Sequence, residues 1–361
     1  MLGAIDGVWV SRLPALKHRL ALDDGRLGIV IFCVTAVALL SLPVAGWLSA
    51  RYGSRGPAAL GLWLACGALA TAAFVPSLGP LVATACVLGA GLGIADIGVN
   101  THGVELERRA GRPLLSPLHA AWSFGLLGGS ALTAVVAAAG VGVRVQLPAA
   151  AAALAAIVAV ALPRMLAETA ADVESAHFAL PRGALALPAA LMFCAFFVEA
   201  SAMNWSAVFL SGPAGAGAAL AAVAVVAYAG AMGVARLVGD RLTARWGIGG
   251  LALRSGSITC MGTLLAVATS SPGPALVGFA LVGVGCAAIV PALFRVGGSV
   301  PGVSQGAGIA AVGTAGYLGG LLNGPLIGFV ARGVGLRWAV GAIAVAGLVI
   351  ALLGPRLGSR R

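Results

Sequence analysis

The chain has 361 residues, of which 60% are hydrophobic and 9% charged, with a formal net charge of +11. Soluble domains carry about 25% charged residues, so this composition excludes an ordinary globular protein and points to an integral membrane one. The 22 basic residues stand singly or in small groups between apolar runs, which excludes a basic nucleic-acid-binding domain and makes them markers of topology.

The apolar runs are unbroken over about 20 residues, the helical signature, whereas a membrane barrel shows shorter alternating segments. Met1 to Val10 is apolar but too short to span, and Ser11 to Arg26 reads as a polar link. Full spans are expected at 27–50, 56–75, 80–104, 115–139, 143–163, 185–210, 216–239, 247–270, 273–295, 305–331 and 334–354. That makes eleven full helices plus an N-terminal stub. Gly 54 and abundant alanine suit close helix packing in lipid. Cys33, Cys66, Cys86, Cys194, Cys260 and Cys286 all fall inside apolar runs without CxxC spacing, so they read as small buried hydrophobes and no metal site is expected.

An internal repeat organises these spans. Leu48-Ser49-Ala50-Arg51-Tyr52-Gly53 matches Leu242-Thr243-Ala244-Arg245-Trp246-Gly247 at an offset of 194, which also pairs Pro80 with Pro274, Gly89 with Gly283 and Gly91 with Gly285. Gly125-Leu126-Leu127-Gly128-Gly129 matches Gly316-Tyr317-Leu318-Gly319-Gly320 at an offset of 191. The chain therefore divides into an N-terminal helical bundle, 1–163, a cytoplasmic linker, 164–184, with Glu168, Asp172 and Glu174, and a C-terminal bundle, 185–361. The second half opens near residue 185, and 185 − 194 = −9, so helix 1 is expected to be truncated by about nine residues. With the linker inside, 15 basic residues fall on the cytoplasmic side, Arg236 among them. Seven fall outside: Arg12, Lys17, Arg19, Arg26, Arg144, Arg332 and Arg337. The excess favours both termini in the cytoplasm. Four of the seven lie in the first outer link, against the pattern.

Two six-helix halves and the turn Gly46-Trp47-Leu48-Ser49-Ala50-Arg51-Tyr52-Gly53-Ser54-Arg55 resemble the major facilitator superfamily. That family's loop usually runs G-x-L-A-D-R-x-G-R-R/K; Ala50 stands where the aspartate is usual, which removes the ion pair ascribed to it. The chain is most similar to fucose-permease-like proteins and other bacterial inner-membrane permeases. The matching residues are Trp9-Val10-Ser11-Arg12-Leu13-Pro14, Gly93-Ile94-Ala95-Asp96 with Asn100, and Glu105, Gly111-Arg112, Ser116, His119 and Ser123-Phe124-Gly125. Glu199 with Asn204-Trp205-Ser206 resembles that branch's seventh helix. The resemblance implies an all-α integral membrane fold of two six-helix bundles related by a pseudo-two-fold axis, working by alternating access.

Asp96 at bilayer depth has two readings, a proton-coupling or substrate-binding carboxylate and a structural partner of Asn100 or a neighbouring helix. Its counterpart in the repeat is Val290, so the second half dispenses with the charge. Asn100 either bonds a substrate hydroxyl or satisfies Asp96. Glu199, about fourteen residues into helix 7, is a second titratable candidate or half of a structural pair. Asn204 and Trp205 are substrate candidates, the indole as a platform for a sugar face or as an interfacial anchor. Asp6, Tyr317 and Asn323 are polar interruptions of apolar helices. Arg51, Glu105, Arg112 and His119 are expected to serve gating or structural pairing at the cytoplasmic ends. No Walker sequence, dinucleotide fingerprint or nucleophile–base spacing is present, so no enzyme and no cofactor beyond a proton gradient is expected. The expectation is a monomeric secondary transporter of a bacterial inner membrane, partnered by a small solute and the lipid bilayer and by no nucleic acid. It would act by proton symport of a sugar-like or other polar metabolite. The alternatives are an efflux antiporter of drugs or metabolites and a truncated, non-transporting paralogue.

Overall fold

The computed structural model describes residues 1–110, 115–165 and 182–358, with side chains described except at 104, 108, 115–120 and 305. The chain forms α1 (Leu2–Arg19), α2 (Asp24–Tyr52), α3 (Arg55–Ala72), α4 (Leu78–Ala110), α5 (Leu115–Ala138) and α6 (Val143–Ala161). After 182 follow α7 (Ala186–Ser211), α8 (Ala218–Ala268), α9 (Pro272–Cys286), α10 (Ile289–Gly297), α11 (Gln305–Val334), α12 (Leu336–Val340) and α13 (Ala342–Leu353). No strand occurs among the described residues.

At about 1.5 Å per residue, α8 would be about 76 Å long, far beyond the ~30 Å of a hydrocarbon core. It bends at Gly247, whose φ of 65° is left-handed, and so makes two limbs, 218–246 and 248–268. The next span is interrupted at Ala287–Ala288 between α9 and α10, and the last at Gly341 between α12 and α13. Counted this way, the described residues form twelve helical segments, six on each side of the 166–181 stretch. Eight helices among them are long and apolar enough to cross a membrane, α8 counting once. The residues Glu168, Asp172 and Glu174 of the expected linker lie outside the described residues.

The first segment corrects where helix 1 ends. The stretch expected as a polar link from Ser11 is helical as far as Arg19, giving an 18-residue helix from Leu2. Its polar groups point into the fold. Arg12, 4% exposed, donates through Nη2 to the Val141 carbonyl at 2.8 Å and through Nε to Gln146 Oε1. Gln146 Nε2 in turn donates to Thr133 Oγ1 at 3.0 Å. Arg19 donates to the carbonyls of Ala72 (3.1 Å), Ala73 and Val75 (3.0 Å), which are left over at the end of α3. Hydropathy reads these arginines as solvated, whereas the fold uses them to satisfy buried carbonyls.

The helices cluster into two units: Met1–Leu22 with Ile29–Ala176, and Asp23–Gly28 with His177–Arg361. In unit 1, α1 packs on α5, and α3 on α4 and α6. In unit 2, α8 packs on α9, α7 on α11, and α13 on α7 and α8. The first turn of α2 belongs to unit 2, where Asp23 bonds Arg332 of α11.

The repeat is physical as well as textual. A Cβ on Gly91 of α4 would stand 2.7 Å from the Gly61 carbonyl oxygen and 2.7 Å from the Ala65 nitrogen of α3. One on Gly285 of α9 would stand 2.8 Å from the Ser255 oxygen and 2.8 Å from the Thr259 nitrogen of α8. Each partner is shifted by the same 194 residues: 61 + 194 = 255 and 65 + 194 = 259. The matched turns also share a left-handed glycine, Gly53 with φ 74° and Gly247 with φ 65°. Both halves thus bring helices together through the same missing side chains, the packing mode of helices in lipid.

Side chains such as Leu40, Trp63, Leu237 and Trp338 are exposed. In water so much apolar surface would be a liability; in a bilayer it is the solvent-facing coat.

Candidate functional site

Unit 1 carries a carboxylate pair. On α4, Asn100 Nδ2 donates to Asp96 Oδ1 at 3.0 Å and to the Asp96 carbonyl at 2.9 Å, the contact that i,i+4 spacing on a helix allows. Asp96 remains exposed and Asn100 half-buried. Across from α4, Asp6 of α1 accepts a hydrogen bond from the indole of Trp122 on α5 and lies within electrostatic reach of Asp96. Residues from α1, α4 and α5 thus bring two carboxylates into one neighbourhood.

Unit 2 carries a different arrangement. Glu199 of α7 accepts a charge-assisted bond from Arg236 Nη2 of α8 at 2.7 Å. Their side chains are 23% and 32% exposed, so the pair is half-buried. Tyr228, one helical face along α8, donates through its hydroxyl to the Glu199 carbonyl at 3.2 Å, and that hydroxyl lies 3.8 Å from Cys286 Sγ of α9. Arg236 Nε also points to the Ala287 carbonyl at 3.4 Å, in the break between α9 and α10. Arg236 is therefore bound within the helical bundle.

Further along α7, Asn204 donates to the Ala200 carbonyl at 2.9 Å and to Asn323 Oδ1 of α11 at 3.4 Å. Asn323 is itself fully buried and donates to the Gly320 carbonyl. Trp205 has 0% exposure, so its ring presents no open face to a solute in this structure. Its indole N–H and the buried hydroxyls of Ser201 and Ser206 have no hydrogen-bond partner. One strip of α7 therefore holds polar capacity that the helices around it leave unmet.

Of the expected gating residues, Arg51 and Glu105 lie among the described side chains. Arg51 lies over the rings of Trp47 (5.9 Å) and Tyr52 (5.7 Å), a cation–π arrangement in the turn where Ala50 supplies no carboxylate. Glu105 bonds Arg109 at 2.6 Å, one turn along α4. Arg112 lies outside the described residues, as does the side chain of His119. Tyr317 meets Phe196 of α7 edge-on at 5.9 Å.

Sequence reasoning missed two contributors. His102 Nδ1 lies 2.9 Å from Ser54 Oγ, joining α4 to the turn before α3. Arg236 was visible as an arginine at the polar end of an apolar run. Only the spacing of Tyr228 and Arg236, two turns apart on one face of α8, was available to place it on the packed face, and the apolar Met232 between them hides that pattern.

No family model matches the chain. The uncharacterized transporter y4wD of Sinorhizobium fredii is 30% identical over 367 residues, covering 98% of this chain and 95% of that one. An uncharacterized MFS-type transporter of Yersinia pestis is 28% identical over 343 residues, covering 95% and 89%. The chain belongs to the major facilitator superfamily. This superfamily transporter also resembles solved structures over almost its full length. The nucleoside transporter NupG superposes with a TM-score of 0.73 at 16% identity, covering 100% of this chain and 98% of that one. A D-xylose-proton symporter gives 0.74 at 13% identity, covering 99% and 97%. At such low identity these establish the fold. This major facilitator protein is a multi-pass membrane transporter of a small molecule.

Proposed function

We propose that this transporter is a proton-coupled symporter of a small polar solute, sugar-like or a related metabolite, working by alternating access in a bacterial inner membrane. The observation that carries the reading is Asp96. It is a carboxylate on a membrane-spanning helix, exposed, with one donor from Asn100 and a second carboxylate, Asp6, in electrostatic reach. An intramembrane acid of this kind is by default functional. Asp96 and Asp6 form the proton-loading pair in this reading. Asn100 keeps Asp96 oriented. Glu199, Asn204 and Trp205, with the unmet donors beside them, supply the second half's contacts. Arg51 and Glu105 act at the helix ends, together with Arg112 and His119. The protein is monomeric, with both termini in the cytoplasm, and neither catalyses a reaction nor binds nucleic acid. Membership of the fucose-permease-like branch is part of this reading, supported by the Asp96–Asn100 block.

The test is solute-driven alkalinisation of the medium by cells expressing the transporter. Asp96→Asn is expected to abolish the alkalinisation while solute still binds. Normal coupling in that variant sinks the assignment. Solute-driven acidification instead favours an export antiporter.

A further inference from the structure

In unit 2 an arginine and a glutamate face each other where the fold does not require them. The repeat places Ile5 and Leu42 at the positions matching Glu199 and Arg236 (199 − 194 = 5; 236 − 194 = 42). Unit 1 is built with apolar residues there, Ile5 being fully buried. A partly buried ion pair is weak as a stabiliser, because desolvating two charges offsets their attraction. Charges within membrane helices face a partner or a pathway. Both side chains also keep part of their surface open, at 23% and 32%.

From this geometry we infer that Arg236 is a substrate-binding cation and that the transported solute carries a carboxylate. This rests on the symport reading above and names the solute's charge. In the structure Glu199 occupies the guanidinium by a single contact at 2.7 Å, the geometry a solute carboxylate would adopt in its place. Protonation of a Glu199 carboxyl oxygen neutralises it and leaves Arg236 short of its anion. An unpaired guanidinium in this setting is costly, so the form in which Glu199 is neutral takes up a carboxylate. Binding and protonation then favour one another reciprocally.

The groups around the pair fit this exchange. Tyr228 spends its hydroxyl on the Glu199 backbone carbonyl rather than on the carboxylate, and Cys286 stands beside Tyr228. On α11, Tyr317 packs against Phe196, and Asn323 faces Asn204. Asp240, one turn beyond Arg236, is bonded to Arg295 of α10 at 2.8 Å. Arg332 and Arg337 are engaged by Asp23 and by the carbonyls of Val267 and Pro213. Among the described contacts, Arg236 is the cation that meets the Glu199 carboxylate.

The test is thermal protection of the purified full chain by acetate, lactate and D-glucuronate, with D-glucose and inorganic phosphate as the neutral and non-carboxylate arms. At least one carboxylate is expected to protect, with an apparent affinity that rises by up to about tenfold per unit fall in pH. Glu199→Gln is expected to bind that carboxylate without pH dependence. The double variant Glu199→Gln/Arg236→Gln removes both charges without stranding either, and is expected to fold and lose the response. Protection by no carboxylate, equal protection by D-glucose, protection by phosphate alone, or a response retained in the double variant would each overturn the inference. Asp96→Asn, which tests the symport reading, is expected to keep carboxylate protection. Loss of coupling there and loss of protection here are thus read separately.

Discussion

Replacing Gly91 or Gly285 by alanine tests whether the two halves are packed by one device. In each case the new Cβ would lie 2.7–2.8 Å from backbone atoms of the neighbouring helix, where ordinary contact begins at 3.4 Å. The helices must separate by about 0.6–0.7 Å, the difference between those distances. Overpacking of this kind costs about 1–3 kcal/mol, while alanine in a helix gains back up to about 1 kcal/mol over glycine. Gly67 and Gly233 are helical glycines with open space at the Cβ position, so alanine there carries the gain without the clash. The expected separation between clashing and open sites is roughly 2 kcal/mol in both halves. Denaturant unfolding of the purified protein, followed by tryptophan fluorescence, measures it. If Gly91→Ala unfolds at the same midpoint as Gly67→Ala, close approach of α3 and α4 does not hold unit 1 together. If Gly91→Ala destabilises and Gly285→Ala does not, the equivalence of the halves fails.

Three further outcomes are expected. Arg12→Met leaves the Val141 carbonyl and the Gln146 amide oxygen without their donor, and at about 1–3 kcal/mol per buried unsatisfied group it should lower stability by several kcal/mol in the same unfolding assay; a loss under about 0.5 kcal/mol would show the arginine to be solvated. Asp23, outside the spans, is held below its ordinary value of 3.8 by the Arg26 backbone N–H and then by Arg332. Its contribution is therefore present above pH 3.8 and is lost as pH falls below that value. At 44% exposure, solvent screening limits it to at most about 1 kcal/mol. Unfolding midpoints recorded against pH should flatten in Asp23→Asn, and an unchanged acid limb would refute the pairing. Gly53→Ala and Gly247→Ala, each forcing a side chain into left-handed backbone, should cost about 1–2 kcal/mol apiece; stability equal to the unsubstituted protein would show that these turns relax.

Where the sequence misled, the reason was in each case a charge. Arg12 and Arg19 made the first outer link look polar and helix 1 look as if it ended at Val10, yet both are turned inward onto carbonyls of α3 and of the loop before α6. Arg337 does the same with the carbonyls of Val267 and Pro213. Arg26 and Arg332 are likewise drawn to Asp23, so these basic residues assigned outside are held by structural partners, which accounts for the blemish in the charge count. Loop charge reports topology only where the charge is free to stay with the lipid headgroups.

The sequence by itself determined the fold class, the twofold repeat, its offset of 194 and the polar interruptions of its helices. Those follow from spacing along the chain: the length of apolar runs, the recurrence of glycine, and a carboxylate where hydrocarbon should be. Tertiary structure decided which polar groups meet. Asp96 and Asn100 are partners because a helix puts them one turn apart, and that was legible. Asp6 near Asp96, and Glu199 on Arg236, join helices whose relative rotation no single strand of sequence specifies. That rotation is set by many small contacts, the glycine approaches among them, acting together.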